Sequence, residues 1–585
     1  MCGIWAYIQL QEKGIPISKC FDDFYKLKHR GPTNSYFETY ENVCIGFHRL
    51  AIMDDTFHSN QPFLLEDEER TIIFICNGEI YNFKDLISHY DLDNIKNDCL
   101  VLPTIYMKLC KKKQERFFCD VIRNDVSGEF AFVLFEFKSK VLTKVIACRD
   151  EIGIRPLYYH PTSQPTTSQP TTSQPITSDS LFFTSELKGG LHYEGELIEF
   201  PPGHLMTYHF NETVTVESED YSSVYTAHPP RCFFDERLQT LWGEYEPTDE
   251  EYLEEVRLSV EHSVKRRLVA DKPMAFLLSG GVDSSLVAAI AAQSLSEPIR
   301  TFCCGMSEGT DLKFARDVAA HIGSIHTEVF FTPEEGLAAI PDVIRTIESW
   351  DTTTVRASVG QYLVSKYIGT QTDCKVVMVG EGPDEVCSSY LFNWYAPNGG
   401  ALADAAKEYV KKIHYYDVKR ADRCISRWGL EGRVPLLDPE FIRSYWTIPF
   451  EERMPTYHHM EKWWLRKAFE GTLLPEHVLW RKKEAFSDGV SGEKSWYQII
   501  QDWVQDKVTE EEMANAAITY RYCTPKTKEA YYYRKLFCDF MGERRQEVIP
   551  GYWQPKWSAN GTEVTDYIDP SARVLSIYHA EKPEH

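Results

Sequence analysis

Two short segments of the 585-residue chain carry residue types that could do chemistry, and they lie far apart. The first is the start, Met1-Cys2-Gly3. The small residue at position 2 permits removal of Met1, which would leave Cys2 with a thiol and a free α-amine. An α-amine has a pKa of about 8, so it can act as the base for its own side chain. Cys2 is therefore a candidate N-terminal nucleophile, although a cysteine there can also be an ordinary second residue.

The second segment, residues 277–285, reads Leu-Leu-Ser-Gly-Gly-Val-Asp-Ser-Ser between an apolar strand pattern and a helix pattern. Paired glycines let the backbone approach a ligand closely. Serine hydroxyls and the N–H groups at a helix start form a cradle for phosphate. The segment is not a Walker A loop, because G-x-x-x-x-G-K-[ST] does not occur. It predicts a different kind of phosphate-binding turn.

Residues 1–210 read as strand-rich, with short apolar or alternating runs between turn-like clusters. Strands are predicted at 43–52, 71–76, 130–137, 141–148, 181–184 and 205–208, and a helix at 101–110. A Thr-Ser-Gln-Pro repeat at 161–178 has no large apolar residue before Ile176. We expect it to be a disordered surface loop, acting as a neutral spacer between two strands of a hairpin.

The remainder divides into a polar linker at 211–249, a second domain at 250–545 and a tail at 546–585. Strands are predicted at 274–278, 299–304 and 375–379, helices at 249–268, 284–294 and 312–322, and a mainly helical region at 401–536. Strands that alternate with helices indicate an α/β domain with a parallel sheet and helical cover.

Composition excludes several classes of protein. The 87 acidic against 63 basic residues give a net charge of −24, which disfavours nucleic-acid binding. No stretch approaches the roughly 18 apolar residues of a membrane span, and the start lacks the pattern of a signal peptide. The 16 cysteines form no C-x-x-C pair. We therefore expect a reduced, cytoplasmic protein with no membrane partner.

Further motifs follow Cys2 in a fixed order: His29-Arg30-Gly31-Pro32, His48-Arg49-Leu50, Asn77-Gly78-Glu79, Arg149-Asp150, Gly153-Ile154-Arg155-Pro156 and Ser185-Glu186. The set resembles the class II, or N-terminal-nucleophile, glutamine amidotransferases over essentially all of residues 1–210. The resemblance implies an α+β domain in which two antiparallel sheets form an αββα sandwich. It also implies that the Cys2 thiolate attacks the side-chain amide of glutamine.

The same resemblance gives the other glutamine-site residues their roles. Asn77 and the Gly78 N–H match the oxyanion hole, where loss of one donor typically costs about 3 kcal/mol. Arg49 matches the residue that grips the α-carboxylate, a task suited to a planar guanidinium. Glu79 and Asp98 match the acids that hold the α-ammonium. The implied products are glutamate and ammonia.

The loop at 277–285 resembles the pyrophosphate loop of the ATP pyrophosphatases, which split ATP between the α and β phosphates. The residues that match this family's ATP site are Leu278, Ser279, Gly280, Gly281, Asp283, Ser284, Ser285, Cys304, Gly380 and Glu381. Asp283 and Asp384 match magnesium ligands, and Mg²⁺ favours a few carboxylates together with phosphate oxygens.

Three more segments narrow the family. In residues 351–358, Thr353, Thr354 and Arg356 match contacts to nucleotide phosphate and an acyl-adenylate. In the loop at 380–385, Glu381 matches the acid beside the aspartyl substrate and ammonia, and Asp384 also matches a residue of the family's adenylate site.

Residues 480–489 contain Lys483, which matches the lysine that stabilises departing pyrophosphate. Together with the preceding motifs, this segment resembles the glutamine-hydrolysing asparagine synthetases, most closely the eukaryotic ones. The family activates the aspartate side chain as β-aspartyl-AMP, and ammonia from glutamine displaces AMP. The resemblance implies glutamine, aspartate and ATP as small-molecule partners and Mg²⁺ as cofactor; the family often forms homodimers.

Departures from the family pattern leave alternatives open. Val379 and Pro383 stand where the family has serine, Ser127 replaces an aspartate, and residues 393–397 lack a family lysine. An enzyme that amidates another carboxylate, or a non-catalytic protein of this fold, therefore remains an alternative. The segment at 305–309 also fits the G-x-S-x-G elbow of α/β-hydrolases around Ser307, although that pattern is loose.

Overall fold

Three β-sheets organise the chain. The structure is a computed structural model that describes residues 1–11, 14–161, 174–176, 178–211, 213–225, 247–307, 309–481 and 494–567. Two antiparallel sheets occupy the N-terminal part and one parallel sheet the C-terminal part, which confirms the predicted fold class.

The first antiparallel sheet has six strands. In sheet order they are β11 (Ile198–Glu199), β8 (Tyr158–Tyr159), β10 (Ser180–Thr184), β1 (Gly3–Gln9), β3 (Val43–Arg49) and β2 (Asn34–Tyr40). The second sheet has seven: β4 (Phe63–Glu66), β5 (Arg70–Ile80), β6 (Gly128–Lys138), β7 (Val141–Arg149), β12 (His204–Phe210), β13 (Val214–Asp220) and β9 (Gln174–Pro175).

The two sheets pack face to face through alternating apolar side chains. Ile4 and Ile8 of β1 belong to the same buried cluster as Ile75 of β5 and Val133 of β6. On the outer face of the second sheet lie α2 (Phe83–His89), α3 (Val101–Lys111) and α4 (Phe118–Asp125), whose apolar sides form another cluster. Helix α1 (Ile17–Tyr25) covers the first sheet. The layers are therefore αββα, as predicted.

The repeat segment is flanked by β8 and β10, which pair antiparallel as a hairpin prediction requires. Most of the repeat lies outside the described residues. Gln174 and Pro175 differ from the expected loop, because they form β9 and pair with Val216 and Thr215 of β13. A polar segment can join a sheet edge through its backbone alone, without burying apolar side chains.

The parallel sheet has five strands, in the order β16 (Ile325–Phe330), β15 (Arg300–Gly305), β14 (Met274–Leu277), β17 (Val376–Met378) and β18 (Glu431–Arg433). The three central strands were predicted and the two edge strands were not. Strand β16 has three consecutive polar residues, His326-Thr327-Glu328, among its six and none that is fully buried, and β18 is three residues of Glu-Gly-Arg. Neither contains the apolar run that identifies a buried strand.

Helices cover this sheet and form most of the C-terminal region. They are α5 (Asp249–Arg266), α6 (Val282–Ser294), α7 (Thr310–Ile322), α8 (Pro333–Ile347), α9 (Thr352–Gln371), α10 (Pro383–Val386), α11 (Gly399–Lys412), α12 (Asp417–Ser426), α13 (Pro439–Trp446), α14 (Trp463–Ala468), α15 (Glu476–Leu479), α16 (Trp496–Val504), α17 (Glu510–Ala514), α18 (Ala516–Thr519) and α19 (Lys528–Met541). Within the described ranges, none is long and apolar enough to span a bilayer.

Candidate functional sites

Cys2 lies at the start of β1, in the middle of the first sheet. Gly3 pairs with His48 of β3, so the adjoining residues Cys2 and Arg49 lie side by side. The Cys2 backbone N–H donates to Asn77 Oδ1 at 2.9 Å, and its Sγ lies 3.8 Å from the Leu50 carbonyl oxygen. With Met1 attached, burial raises the pKa of the Cys2 thiol to about 11. The thiol therefore needs a neighbouring base to become a nucleophile.

Asn77 and Gly78 lie together on β5, next to Cys2. The Asn77 Nδ2 atom is buried and has no hydrogen-bond partner among the described residues. An unpaired buried donor is costly, so this atom is suited to an oxygen supplied by substrate. At Gly78 a Cβ would lie 2.5 Å from the Glu129 carbonyl oxygen on β6. Only glycine fits this close approach of the two strands.

The Arg49 guanidinium is buried and held by the loop that follows β3. It donates to the Thr56 carbonyl at 3.0 Å, to the Met53 carbonyl at 3.2 Å, to Asn60 Oδ1 at 2.8 Å and to the Asp54 carbonyl. These acceptors fix the orientation of the guanidinium plane beside Cys2, as a carboxylate clamp requires.

Glu79 and Asp98 line one small cavity together with Met53, whose carbonyl accepts from Arg49. Asp98 Oδ2 accepts from the Ile80 N–H at 2.8 Å, and burial raises the pKa of the Asp98 carboxyl to about 6. Burial, with nearby carboxylates, also raises the pKa of Glu79. The structure thus brings the predicted glutamine-site residues to one place.

A larger cavity opens at the carboxyl ends of β14, β15 and β17, the edge where ligands bind in open α/β sheets. The predicted residues that line it are Leu278, Ser279, Gly281, Asp283, Ser284, Cys304, Gly380, Glu381 and Asp384. The sequence placed them on three separate loops. The parallel sheet brings these loops to one edge.

The loop from Leu278 to Ser285 passes directly into α6. Ser279 Oγ and Ser284 Oγ are 3.0 Å apart, and the Ser279 N–H donates to Ser284 Oγ at 3.2 Å. Gly280 has φ +73°, and a Cβ there would lie 2.5 Å from Phe314 Cβ. The hydroxyls and the helix start therefore face the cavity, whereas Ser285 is fully buried and lies outside its lining.

Asp283 and Asp384 converge on one point, and their oxygens fit Mg²⁺. Asp283 Oδ1 is buried and has no hydrogen-bond partner in the described structure. The Lys462 ammonium lies between the two side chains, 2.5 Å from Asp283 Oδ2 and 2.6 Å from Asp384 Oδ1. Burial opposes its charge, but the two carboxylates raise the pKa of Lys462 above its ordinary value.

Pro383, which departs from the family pattern, is the first residue of α10. A helix uses no N–H donor at this position, so proline is well tolerated there. Ser389 Oγ donates to Asp384 Oδ1 at 2.6 Å. A hydroxyl thus reaches Asp384 although position 383 has none.

Glu381 also lines the cavity, among polar side chains that sequence reasoning missed. It accepts from Gln361 Nε2 at 2.8 Å and from Arg420 Nη1 at 3.1 Å. Arg420 also pairs with Asp417 at 3.0 Å. Burial raises the pKa of Glu381, and Arg420 opposes this shift. Gln361, Asp417 and Arg420 come from α9 and α12, where helical spacing gives no motif to detect.

Three predicted residues of α9 are not part of the cavity lining. Thr354 donates through N–H and Oγ1 to Asp351 Oδ2 and caps the helix. The Thr353 hydroxyl is buried without a partner among the described residues. Arg356 donates to both carboxylate oxygens of Glu529 on α19, at 2.8 and 2.5 Å. The predicted Lys483 lies outside the described residues.

The competing serine, Ser307, is exposed and is not among the residues that line the cavity. It follows β15 in a turn, as the pattern requires. A nucleophile elbow, by contrast, presents its serine in a substrate site. The geometry favours a nucleotide-binding site over a hydrolase active site in this region.

The fold and the two sites define a two-part enzyme with an N-terminal-nucleophile amidotransferase half and a nucleotide-binding α/β half. The profile described as asparagine synthase matches residues 255–408 and 394–566, and the glutamine amidotransferase domain profile matches residues 1–239. The chain belongs to the asparagine synthase family, which confirms the resemblance seen in the motifs.

Relatives in other organisms match over nearly the full length. The glutamine-hydrolysing asparagine synthetase of Bos taurus is 37% identical over 600 residues, covering 99% of each chain. That of Gallus gallus is 37% identical over 599 residues, with the same coverage. A solved glutamine phosphoribosylpyrophosphate amidotransferase from B. subtilis covers 57% of this chain and 91% of its own, at 13% identity and a TM-score of 0.30, too low to support an inference.

Proposed function

We propose that the chain synthesises asparagine from aspartate, ATP and glutamine, as an ATP-dependent carbon–nitrogen ligase. The observation that carries this proposal is the cavity in which the loop at 278–285, Asp384 and Glu381 meet. In the same chain, the Cys2 backbone N–H donates a hydrogen bond to Asn77. The relatives are 37% identical over nearly the full length, and their names support aspartate as the acceptor.

In the glutaminase half, removal of Met1 frees the Cys2 α-amine, which takes the thiol proton. The thiolate attacks the side-chain amide of glutamine. The Asn77 side-chain N–H and the Gly78 backbone N–H then stabilise the tetrahedral oxyanion. Collapse expels ammonia and leaves a glutamyl thioester, which water hydrolyses to glutamate.

The substrate is oriented by charge at its other end. Arg49, already aligned by backbone carbonyls, grips the α-carboxylate. Asp98 and Glu79 hold the α-ammonium in the cavity that they share. This orientation places the amide carbon, rather than the α-carboxyl carbon, against Cys2.

In the synthetase half, the Ser279–Ser284 turn and the N–H groups of α6 hold the phosphates. The aspartate side-chain carboxylate attacks the α-phosphorus of ATP, pyrophosphate leaves, and the carboxyl gains AMP as leaving group. Asp283 and Asp384 would hold Mg²⁺, which would neutralise phosphate charge when bound. Glu381 lies where ammonia meets the acyl carbon and accepts its proton. Lys483 is proposed to stabilise the departing pyrophosphate.

The proposal also covers the domain organisation, cellular location, partners and assembly of the chain. Residues 1–210 form the glutaminase domain, 211–249 a linker, 250–545 the synthetase domain and 546–585 a tail. Every cysteine that the structure describes is free, which supports a cytoplasmic location. The proposed partners are small molecules, and a homodimer is the assembly proposed.

The test is an assay of the purified chain with glutamine, MgATP and aspartate. We expect asparagine, glutamate, AMP and pyrophosphate in equal amounts. ADP in place of AMP would contradict the adenylate route. Another accepted carboxylate would favour a related amidotransferase, and glutamate without ATP consumption would favour a non-catalytic synthetase half. Ser307→Ala serves as control, because it should leave synthesis largely intact; its loss of all activity while folded would favour a hydrolase.

A further inference from the structure

Lys462 occupies an unusual place in the synthetase cavity. Its side chain is 3% exposed, and its ammonium donates to one oxygen of Asp283 and one of Asp384, at 2.5 and 2.6 Å. These are the two carboxylates proposed to hold Mg²⁺. Asp283 lies in the first turn of α6 and Asp384 in the first turn of α10, and the lysine side chain bridges them.

The backbone at Lys462 supports a specific role. The residue has φ +57° and ψ +31°, a left-handed conformation that non-glycine residues rarely adopt, and it directly precedes α14. Such strain persists only where other interactions hold it. The Lys462 carbonyl accepts from the Arg466 N–H at 2.9 Å, and the two ion pairs hold its other end.

An ammonium and a magnesium ion require the same position here. Mg²⁺ binds carboxylate oxygens at about 2.0–2.1 Å, only slightly closer than the nitrogen of Lys462 lies to its two oxygens. A cation that binds both carboxylates through the oxygens that Lys462 contacts takes the point between them. Lys462 Nζ already lies there, and two cations cannot share it.

We propose that Lys462 competes with Mg²⁺ for the Asp283–Asp384 pair and turns to the phosphate oxygens when MgATP delivers the metal. This inference rests on the metal site of the proposed function. A metal ion that arrives alone leaves a buried ammonium without a partner, which is strongly unfavourable. A metal ion that arrives with ATP provides phosphate oxygens as new partners. Lys462 therefore couples metal binding to nucleotide binding.

The experiment measures Mn²⁺ binding to the full-length protein by electron paramagnetic resonance, without nucleotide. Lys462→Met removes the competing cation, so we expect Mn²⁺ to bind at least about tenfold more tightly than to the wild type. The matched control is Lys467→Met, because Lys467 lies on α14, the helix that Lys462 directly precedes, but pairs with Glu470. It should bind Mn²⁺ as the wild type does. Equal affinity in the wild type and Lys462→Met would overturn the proposal.

Two further measurements keep the test decisive. If circular dichroism shows that Lys462→Met does not fold, Lys462→Gln takes its place, because it retains a hydrogen-bond donor between the carboxylates. Lys462→Gln should also bind Mn²⁺ more tightly than the wild type. With ATP present, the wild type should gain more Mn²⁺ affinity than either variant. An equal gain would overturn the Lys462 proposal alone, whereas no Mn²⁺ binding by any protein, even with ATP, would overturn the metal site itself.

Discussion

The Arg30 guanidinium donates to both carboxylate oxygens of Asp422 on α12, at 2.8 and 3.1 Å, and so joins the two halves of the enzyme. Its Nε also donates to the Cys2 carbonyl oxygen at 2.9 Å. Helix α12 carries Arg420, which donates to Glu381 in the synthetase cavity. One arginine and one helix thus connect the residue proposed to release ammonia with the residue proposed to receive it.

Asp422→Asn should weaken this connection. Arg30 would lose a buried charged partner, which lowers the free energy of unfolding by about 3 kcal/mol. We also expect more glutamate to form per asparagine than in the wild type, because the tie between Cys2 and α12 is weakened and rests on the Arg30–Ser426 hydrogen bond of 3.2 Å. Denaturant unfolding and product ratios measure the two effects. The exposed Asp404→Asn on α11 is the control, and an unchanged product ratio in Asp422→Asn would show that this contact does not couple the sites.

Asp384→Asn should abolish asparagine synthesis and leave glutamine hydrolysis intact. The change removes one of two carboxylates proposed to bind Mg²⁺, but it is remote from Cys2. Lys483→Ala should behave in the same way. Glutamate and asparagine are measured in parallel with both variants. Retention of synthesis in Asp384→Asn would exclude it as an essential magnesium ligand.

The KM for glutamine should rise as the pH falls below about 6. The folded-state pKa of Asp98, raised to about 6 by burial, lies above the ordinary value, so below that pH the carboxyl is protonated and no longer attracts an ammonium. Glutaminase assays at about pH 5.5 and 7.5 measure the change, and Asp98→Asn should show a high KM at both.

The raised pKa of Asp98 also makes the stability of the fold depend on pH, but here the loss comes at high pH rather than at low pH. The folded state binds the Asp98 proton more tightly than the unfolded state does. The stabilisation of the fold by this proton is therefore present at low pH and is lost as pH rises through about 6. Asp98→Asn should therefore raise the Tm at about pH 7.5 relative to the wild type and change it less at about pH 4. A lower Tm at the higher pH would contradict this account.

The residues that sequence reasoning located are those that belong to short contiguous motifs. Asn77, Ser279 and Asp384 each lie in a short motif whose types and order are specific. Lys462 and Arg420 could not be found in this way, because they come from distant helical regions with no motif. Only the folded chain places Lys462 between two carboxylates that precede it by 179 and 78 positions.

The strand predictions also succeeded where the local sequence carries the signal and failed where distant contacts determine the strand. Apolar strands such as β6 and β14 were located to within a few residues, because buried strands need continuous apolar runs. Strand β18 forms from Glu431-Gly432-Arg433. Arg433 pairs with Glu431 of the same strand at 2.9 Å and, across the two halves, with Glu79 at 3.0 Å. No single segment contains that information.

Glutaminase activity should require removal of Met1. The Met1 side chain is buried, and its amine donates to the Leu430 carbonyl at 3.3 Å, so it lies between Cys2 and the synthetase half. While Met1 is attached, the Cys2 nitrogen is an amide and cannot act as a base. Mass spectrometry of the N-terminus, paired with glutaminase assays, should show activity in proportion to the processed fraction. Full activity in an unprocessed preparation would refute the N-terminal-amine base.

The most direct test of the two-site account compares wild type and Cys2→Ala with two nitrogen sources. Asparagine is quantified with aspartate and MgATP plus either glutamine or ammonium, and Cys523→Ala is the cysteine control. We expect Cys2→Ala to form no asparagine from glutamine and to retain wild-type synthesis from ammonium. Equal synthesis by Cys2→Ala from both sources would contradict the assignment of Cys2 as the nucleophile that supplies ammonia.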